Sequence, residues 1–536
     1  MERGMLRRTF SVVMIVLLCV SIIMLAFNIQ PTGADAQTIC INADGSITPA
    51  GAPIGTSDNI TYAFTGNISY PAYNGLAVLR NNTVIDGNGY TVQGNQSGSG
   101  ISLTDISNVT IMNTNIEGFS WSGIWLDSSS NNRVTDINAE NNNNCGIWLF
   151  SSSNNIVSGS NATANFCGIL LEGFSSNNTV TGNNASANVV GISLVSHPNN
   201  NTVTGNNASA NDQDGISLFQ WSNNNTVTGN NASANGAGIF LSFSSSNNTI
   251  TANDASANVV GIGLFDSSDN NTVNGNNAAT NKDEGIHLEG SNNSSVSGNN
   301  ATANVVGIQL DSSSSNSIIG DNITASNDTG IDLVSSFSNN IYHNNFINNT
   351  HQVTSDGSPN TWDDGYPSGG NYWSDYNGTD MYSGPFQNQT GSDGIGDTPY
   401  IIDVNNTDHY PLMKPYPWGP HDIGITNVAS SGTMVTGGSS LTINVTVFNY
   451  GEYTEFFNLT VYANAITVSN VENVSLGSRQ STTITVTWDT KGFLPLEYTI
   501  SAYVTPIPGE TDMTDNTRVD STVQITSCGG RLPYLD

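Results

Sequence analysis

The sequence predicts an all-β chain: a right-handed parallel β-helix solenoid of about 23 residues per coil, followed by a β-sandwich. Three observations predict it. Gly-Ile-x-Leu recurs with its glycine at 100, 123, 146, 168, 191, 215, 238, 261, 285, 307 and 330, a mean period of 23. Within each unit the alternation is strand-like, Ile and Leu on one side and the residue between them on the other. Beyond residue 420 the period changes to two, in runs such as LTINVTVFN (441–449) and TTITVTW (482–488) separated by turn residues.

Taken in order, residues 1–36 read as an export signal. Arg3, Arg7 and Arg8 precede the apolar run 11–27, and Ala34-Asp35-Ala36 offers a small-x-small cleavage site. An uncleaved N-terminal anchor is the alternative, because 17 apolar residues are at the lower limit for a span. Residues 37–99 are expected to form an N-terminal cap and the first coils, and 100–353 the repeats. Near-copies such as NNTVTGNNASANVVGISL (177–194) carry few apolar side chains, but each coil need bury only a few, because its neighbours complete the core. Ile192 and Leu194 should point inward from one sheet and Val203 from the next. Ala208 and Ala210 should fill a tight third corner. Asparagines at equivalent places can form amide ladders, while Asn and Gly clusters suit turns of positive φ. Residues 354–413 form a closing cap, 414–420 (KPYPWGP) a Pro-rich linker, 421–527 the sandwich and 528–536 a tail.

Composition narrows the function. The chain carries 11 Lys+Arg against 43 Asp+Glu, a formal charge of -32, which excludes phosphate-neutralising contact with nucleic acid and disfavours anionic membrane surfaces. More than two dozen Asn-x-Ser/Thr triplets, Asn59-Ile60-Thr61 among them, are glycosylation acceptors in an exported chain, although an Asn/Ser/Thr-rich repeat also generates them by chance. Cleavage would leave Cys40, Cys145, Cys167 and Cys528, too few for a disulfide-built scaffold. Cys145 and Cys167 precede the repeat glycine in adjacent coils, so they should stack, either as a disulfide or as buried thiols.

VIDGNGYTV (84–92), the repeats, and the tail WDDGYPSGGNYWSDYNGTD (362–380), SDGIGDTPYIID (392–403) and DHYPLM (408–413) resemble the NosD-type repeat proteins of the pectin-lyase-like β-helix superfamily. The resemblance covers about 60–413 and implies an extracytoplasmic, carbohydrate-associated role. HDIGITNV, VTVFNYG, VTWDT and IPGETDMTDN, within 421–516, resemble the cell-adhesion-related CARDB domain, which implies an immunoglobulin-like sandwich. The name NosD also implies copper, but histidines at 197, 287, 343, 351, 409 and 421 are scattered and no Met-rich run exists, so copper is not expected.

Three sites follow from the pattern. The outward positions of the Gly-Ile-x-Leu sheet bring Trp125, Trp148 and Phe150 together beside Asp127 and Glu172, a combination suited to sugar rings and hydroxyls. Alternatively, segment 37–80 covers this patch. Asp375, Asn377, Asp380, Asp393 and Asp397 lie in Gly-containing loops and suit calcium; the alternative is a cap in which they hold turn amides. Glu289 and Asp311 share a column in adjacent coils, with Asp332 one coil on and His287 nearby, a spacing compatible with acid/base chemistry or with a solvated acidic stripe. Between Arg133 and Lys414 only Lys282 is cationic, so a polyuronate would be repelled. The expectation is an exported surface or extracellular protein that binds glycans or envelope partners. The alternative is a polysaccharide-active hydrolase, lyase or epimerase on the outer face of the helix.

Overall fold

The computed structural model describes residues 37–416, 422–451, 455–477, 479–507, 510 and 512–526. The predicted signal, the tail with Cys528 and most of the linker lie outside the described residues. Among the described residues no helix is long and apolar enough to cross a membrane.

A 15-stranded sheet runs the length of the first domain. From Gln37–Ile41 and Tyr73–Val78, through the repeats Ile101–Thr104 to Thr329–Val334, and on to His351–Ser355, neighbouring strands pair in parallel, one coil per strand. Each Ile pairs with the next Ile and each Leu with the next Leu. All 22 of these side chains, Ile101 and Leu103 through Ile331 and Leu333, are at most 1% exposed, so the repeat phrase is the core. At roughly 1.5–3 kcal/mol per buried side chain, these two stacks dominate the gross stabilisation. The solenoid is longer than the eleven recognisable repeats, because Gln37–Ile41, Tyr73–Val78 and His351–Ser355 add strands without the repeat phrase. Segment 37–80 therefore takes its place as the first coils.

The short strands Thr179–Thr181, Thr202–Thr204 and Thr226–Thr228 form the second wall, with Val180, Val203 and Val227 fully buried. Ala185, Ala208 and Ala232 line the third corner, also fully buried. Ala210 does not join them. It is exposed, at φ 55°, because the turn passes through the left-handed region there. The repeat glycine has a different task from the turn glycines. Gly205 sits at φ 62° in a bend, whereas Gly191 lies inside the strand Val190–Val195, where a Cβ would meet Gly215 O at 2.5 Å and Asn211 Nδ2 at 2.8 Å.

The asparagines run as ladders between coils. The backbone N–H of Asn183 donates to Asn206 Oδ1 (2.9 Å), and the same step repeats from Asn206 to Asn230, Asn253, Asn276 and Asn299. Each Nδ2 also donates to a carbonyl of the preceding coil, as Asn206 does to Val180 O (2.9 Å). A polar turn that would need water alone is thus satisfied by its own copies.

The cap closes both the core and the ladders. Phe346, Trp373 and Tyr400 stack at 4.3 and 4.2 Å, and Trp362 and Trp373 are 1% exposed. One ladder passes from Asn339 through Asn360 to Asn406, which also accepts from Trp362 Nε1 (3.0 Å). Another passes from Asn344 through Asn371 to Asp408, which also accepts from Trp373 Nε1 (2.8 Å).

The second domain is a sandwich. Ile423–Ser430, Ser440–Asn449 and Ser481–Asp489 form one sheet; Met434–Thr436, Thr517–Thr526, Glu497–Val504, Glu455–Ala463 and Ile466–Leu476 form the other. Leu441, Ile443, Val445 and Val447 alternate inward and meet Leu459, Val461, Ile500 and Trp488.

Candidate functional site

Because inward positions are filled by Ile and Leu, the alternate residues of the long sheet face outward, in register along the rod. Trp125 pairs with Trp148 and Asp127 with Phe150; Phe150 in turn pairs with Glu172. Trp125 and Trp148 meet edge to face at 4.5 Å, and Trp125 stacks on Phe150 at 6.0 Å and 12°. All five predicted residues are half-buried. Burial raises the Glu172 carboxyl above its ordinary range, and the nearby Trp148 indole N–H partly offsets this without reaching hydrogen-bonding geometry. The site thus combines aromatic faces, two carboxylates and an unused indole donor.

The aromatic band is wider than the predicted patch. Trp121, 46% exposed at the entrance of its strand, packs edge-on against Trp125 at 6.0 Å. Where the strands end, Phe174, His197 and Trp221 stack at 5.1 and 5.0 Å, and Phe219 meets Phe243 at 4.7 Å. Rings stacked along the rod turn their edges to solvent, so the free faces are on the end members, Phe174 (69% exposed) and Trp221 (50%). These residues recur two positions after successive strands, at intervals of 23 and 24, so the same periodicity that located the strands could have found them.

The other predicted residues are placed differently. Glu289 pairs with Asp311 in adjacent strands, which sets their Cα atoms about 5 Å apart. Asp332 pairs instead with Gln309, in the column of His287, and His287 lies 4.0 Å from Glu284. In the cap each carboxylate has its own donors. Asp380 accepts from the Ser392 hydroxyl and the Asp393 and Gly394 N–H groups, and Asp397 from the Met381 and Tyr382 N–H groups. Asp393 accepts from Ile395 N–H, and Asp375 from Gln352 Nε2 and the Tyr400 hydroxyl. Asn377 is exposed. Cys145 and Cys167 are register neighbours and buried free thiols, and burial pushes the Cys145 thiol well up.

The described histidines do not converge. His197 is sandwiched between aromatic rings, His343 stacks on Tyr416 at 4.1 Å, and His351 and His409 face Asp328 and Asp363 separately. The imidazole or sulfur donor set that copper requires is not assembled among the described residues.

No curated protein matches the chain. Among solved structures, a double mutant of the periplasmic alginate epimerase AlgG is 15% identical, covers 59% of this chain and 83% of its own, and has a TM-score of 0.41. The DFA-IIIase of Arthrobacter chlorophenolicus A6 without its lid, in complex with GF2, is 16% identical over 54% of this chain and 92% of its own (TM-score 0.38). The CARDB domain of the PF1109 protein from Pyrococcus furiosus, in complex with di-metal ions, is 21% identical over 21% of this chain and 96% of its own (TM-score 0.17). Segments 49–157, 81–260 and 218–378 match the family described as periplasmic copper-binding protein (NosD), and 421–519 match CARDB. With its solenoid and its sandwich each accounted for, the chain belongs to the NosD family of β-helix repeat proteins and carries a CARDB domain on its C-terminal side.

Proposed function

We propose that this is an exported surface or extracellular protein whose long β-sheet binds neutral glycan chains along the aromatic band from Trp121 to Trp221, in an adhesive or scaffolding role. One observation carries the reading: Trp121, Phe174, Trp221 and Phe243 are 43–69% exposed on one sheet and its edges, flanking Trp125, Trp148 and Phe150. Exposed rings on that scale favour a partner of matching chemistry. Rings take the C–H faces of a sugar, and Asp127 and Glu172 take hydroxyls. The five strands from Ser122–Asp127 to Asp214–Phe219 span about 19 Å, room for several sugar units in a row. Arg133 and Lys282 are the only cationic side chains between residues 133 and 413, which supports a neutral over a polyanionic ligand. Envelope partners bearing such glycans, and sequon glycosylation of the chain itself, belong to the same reading.

A glycan array on the exported chain tests it, followed by tryptophan-fluorescence titration with the best neutral oligosaccharide. Binding should fall at least tenfold in Trp125→Ala with Trp148→Ala. Undiminished binding in the double variant would show the patch to be packing alone.

The register pairing of Glu289 with Asp311 favours a second reading, a polysaccharide-active hydrolase, lyase or epimerase on the same face. Turnover of a polysaccharide that is lost in Glu289→Gln would establish it. No turnover, or turnover indifferent to that change, would remove it.

A further inference from the structure

The CARDB-type domain gathers carboxylates that neither the glycan reading nor the cap explains. Asp422 stands at the start of the first strand of the sandwich; Glu510 and Asp515 come from the loop before the last. One carboxylate oxygen from each lies within 4.8 Å of the other two. Two oxygens bound to one calcium ion at 2.3–2.6 Å can be at most about 5 Å apart, so the spacing fits a shared ion. Gly424 makes the approach feasible, since a Cβ there would meet Asp515 Oδ2 at 2.0 Å.

Proximity of acids alone is common; three unmet buried oxygens gathered beside them are a second observation. Asn516, 1% exposed, directs its amide at the group: its Nδ2 donates to Glu510 Oε1 and to Ile423 O, both at 2.9 Å. Its Oδ1 is buried without a donor, and so are Asp422 Oδ1 and Asp515 Oδ1. Three buried acceptors gathered in one corner lack a hydrogen-bond donor, and Arg479 only partly offsets the charge on Asp422. Glu510 is oriented by Ile423 N–H on Oε1 (2.9 Å) and Ile507 N–H on Oε2 (2.8 Å), so it is held in place rather than swinging in solvent. Burial, with repulsion from Asp515, Glu510 and Asp512, pushes the Asp422 carboxyl up to about 6, and burial and Asp512 raise Asp515. Such mutual repulsion is what a bound cation relieves.

We infer that Asp422, Glu510 and Asp515, assisted by Asn516, form a site for a hard divalent cation, calcium in chemical class, that clamps the first strand of the sandwich to the loop before its last strand. All donors are oxygens, which suits Ca²⁺ and excludes a copper preference. Water and the exposed Asp512 can complete the shell.

The test is calorimetric titration of CaCl₂ into the chelator-stripped exported chain, with thermal unfolding followed in parallel. Saturable binding is expected, with Kd on the order of 10⁻⁴–10⁻³ M, as for extracellular oxygen-ligated modules. Asp422→Asn and Asp515→Asn should each weaken it at least tenfold while raising the Tm of the metal-free chain, because one repelling charge is gone. Asp397→Asn, in the cap, should leave the calcium response unchanged. Three results would overturn the site: no binding by the parent chain up to about 10 mM Ca²⁺, unchanged binding in both sandwich variants, or loss of the response in Asp397→Asn. If Asp515→Asn does not fold, Asp422→Asn and the parent titration still decide. Glycan binding plays no part in this readout.

Discussion

The repeat coils and the cap use the same polar ladders in opposite ways. In the coils the asparagines of the Asn183–Asn299 ladder are both givers and takers. Asn206 accepts the Asn183 N–H on Oδ1 and donates from Nδ2 to Val180 O, so each coil is completed by the ones beside it. In the cap the copying stops: one ladder ends on Asn406, where the Trp362 indole takes the place of a further coil, and the other ends on a residue of another kind. That residue is Asp408, which has no next coil and is fully buried. Asp408 accepts from Asn371 N–H (2.7 Å), Trp373 Nε1 (2.8 Å) and Tyr410 N–H (3.1 Å). A periodic rod satisfies its interior cheaply and its end only with specific residues, so low complexity in the middle and high specificity in the tail are two faces of one constraint.

One residue crosses the comparison. Asp321 occupies an asparagine position within the same ladder, accepting from Asn299 N–H (2.7 Å) and Nδ2 (2.9 Å). Where an asparagine presents Nδ2 to the carbonyl behind it, Asp321 presents Oδ2, buried without a donor. Burial pushes its carboxyl up to about 7 against the donors' pull. Below that pH a proton on Oδ2 would restore the donor that an asparagine has at this place.

Four substitutions would break or sharpen this contrast. The largest effect should come from Trp373→Ala, which opens the aromatic plug and removes a donor to Asp408. A loss of about 3–5 kcal/mol is expected in urea unfolding, and a loss below 1 kcal/mol would mean that the cap does not secure the rod. Next is Asp321→Asn. The folded pKa of Asp321 is raised, so its contribution is intact below about pH 4 and is lost as pH rises to about 7. The asparagine variant should therefore match the parent at pH 4 and exceed it above pH 7 by on the order of 2–4 kcal/mol. A difference that does not change with pH would show that Asp321 is ionised at no cost. Third, Asn230→Ala interrupts a mid-rod ladder and should cost about 1–3 kcal/mol through the orphaned Asn206 N–H. Recovery of parent stability would mean that water replaces the amide. The smallest stability effect is expected from Trp125→Ala, within about 1 kcal/mol, since the ring is on the outer face. If it unfolds the chain, the band is architecture and not a binding surface.

Much of the architecture was legible before any coordinates. The period of 23 and the Ile-x-Leu alternation located the strands, the inward stacks and the outward columns. That legibility ended where the copies end. Tyr73–Val78 lacks the repeat phrase and was placed only by the general expectation of first coils in 37–99, and His351–Ser355 runs past the expected end of the repeats at 353. Ala210 was read as core because alanine is small, but the bend carries it to the left-handed region and out to solvent. The predicted patch was legible in part: the strand residues Trp125, Trp148 and Phe150 follow from parity, whereas the bend residues Phe174, His197 and Trp221 share the period of 23 but lie outside the strands, where parity does not say which way a side chain points.

By itself the sequence determined the winding, because a side chain repeated at one interval can be buried at every coil only if the coils stack. It also determined the chemistry of the outer face, since parity along a strand is strict. The tertiary structure alone decided what meets across distance. Asp422 and Glu510 are 88 residues apart, and Asn360 and Asn406 are 46 apart. No periodic signal links them, because neither the loop-to-strand contact in the sandwich nor the closing fold of the cap is repeated. Contacts made once leave no pattern in a chain, and only packing reveals them.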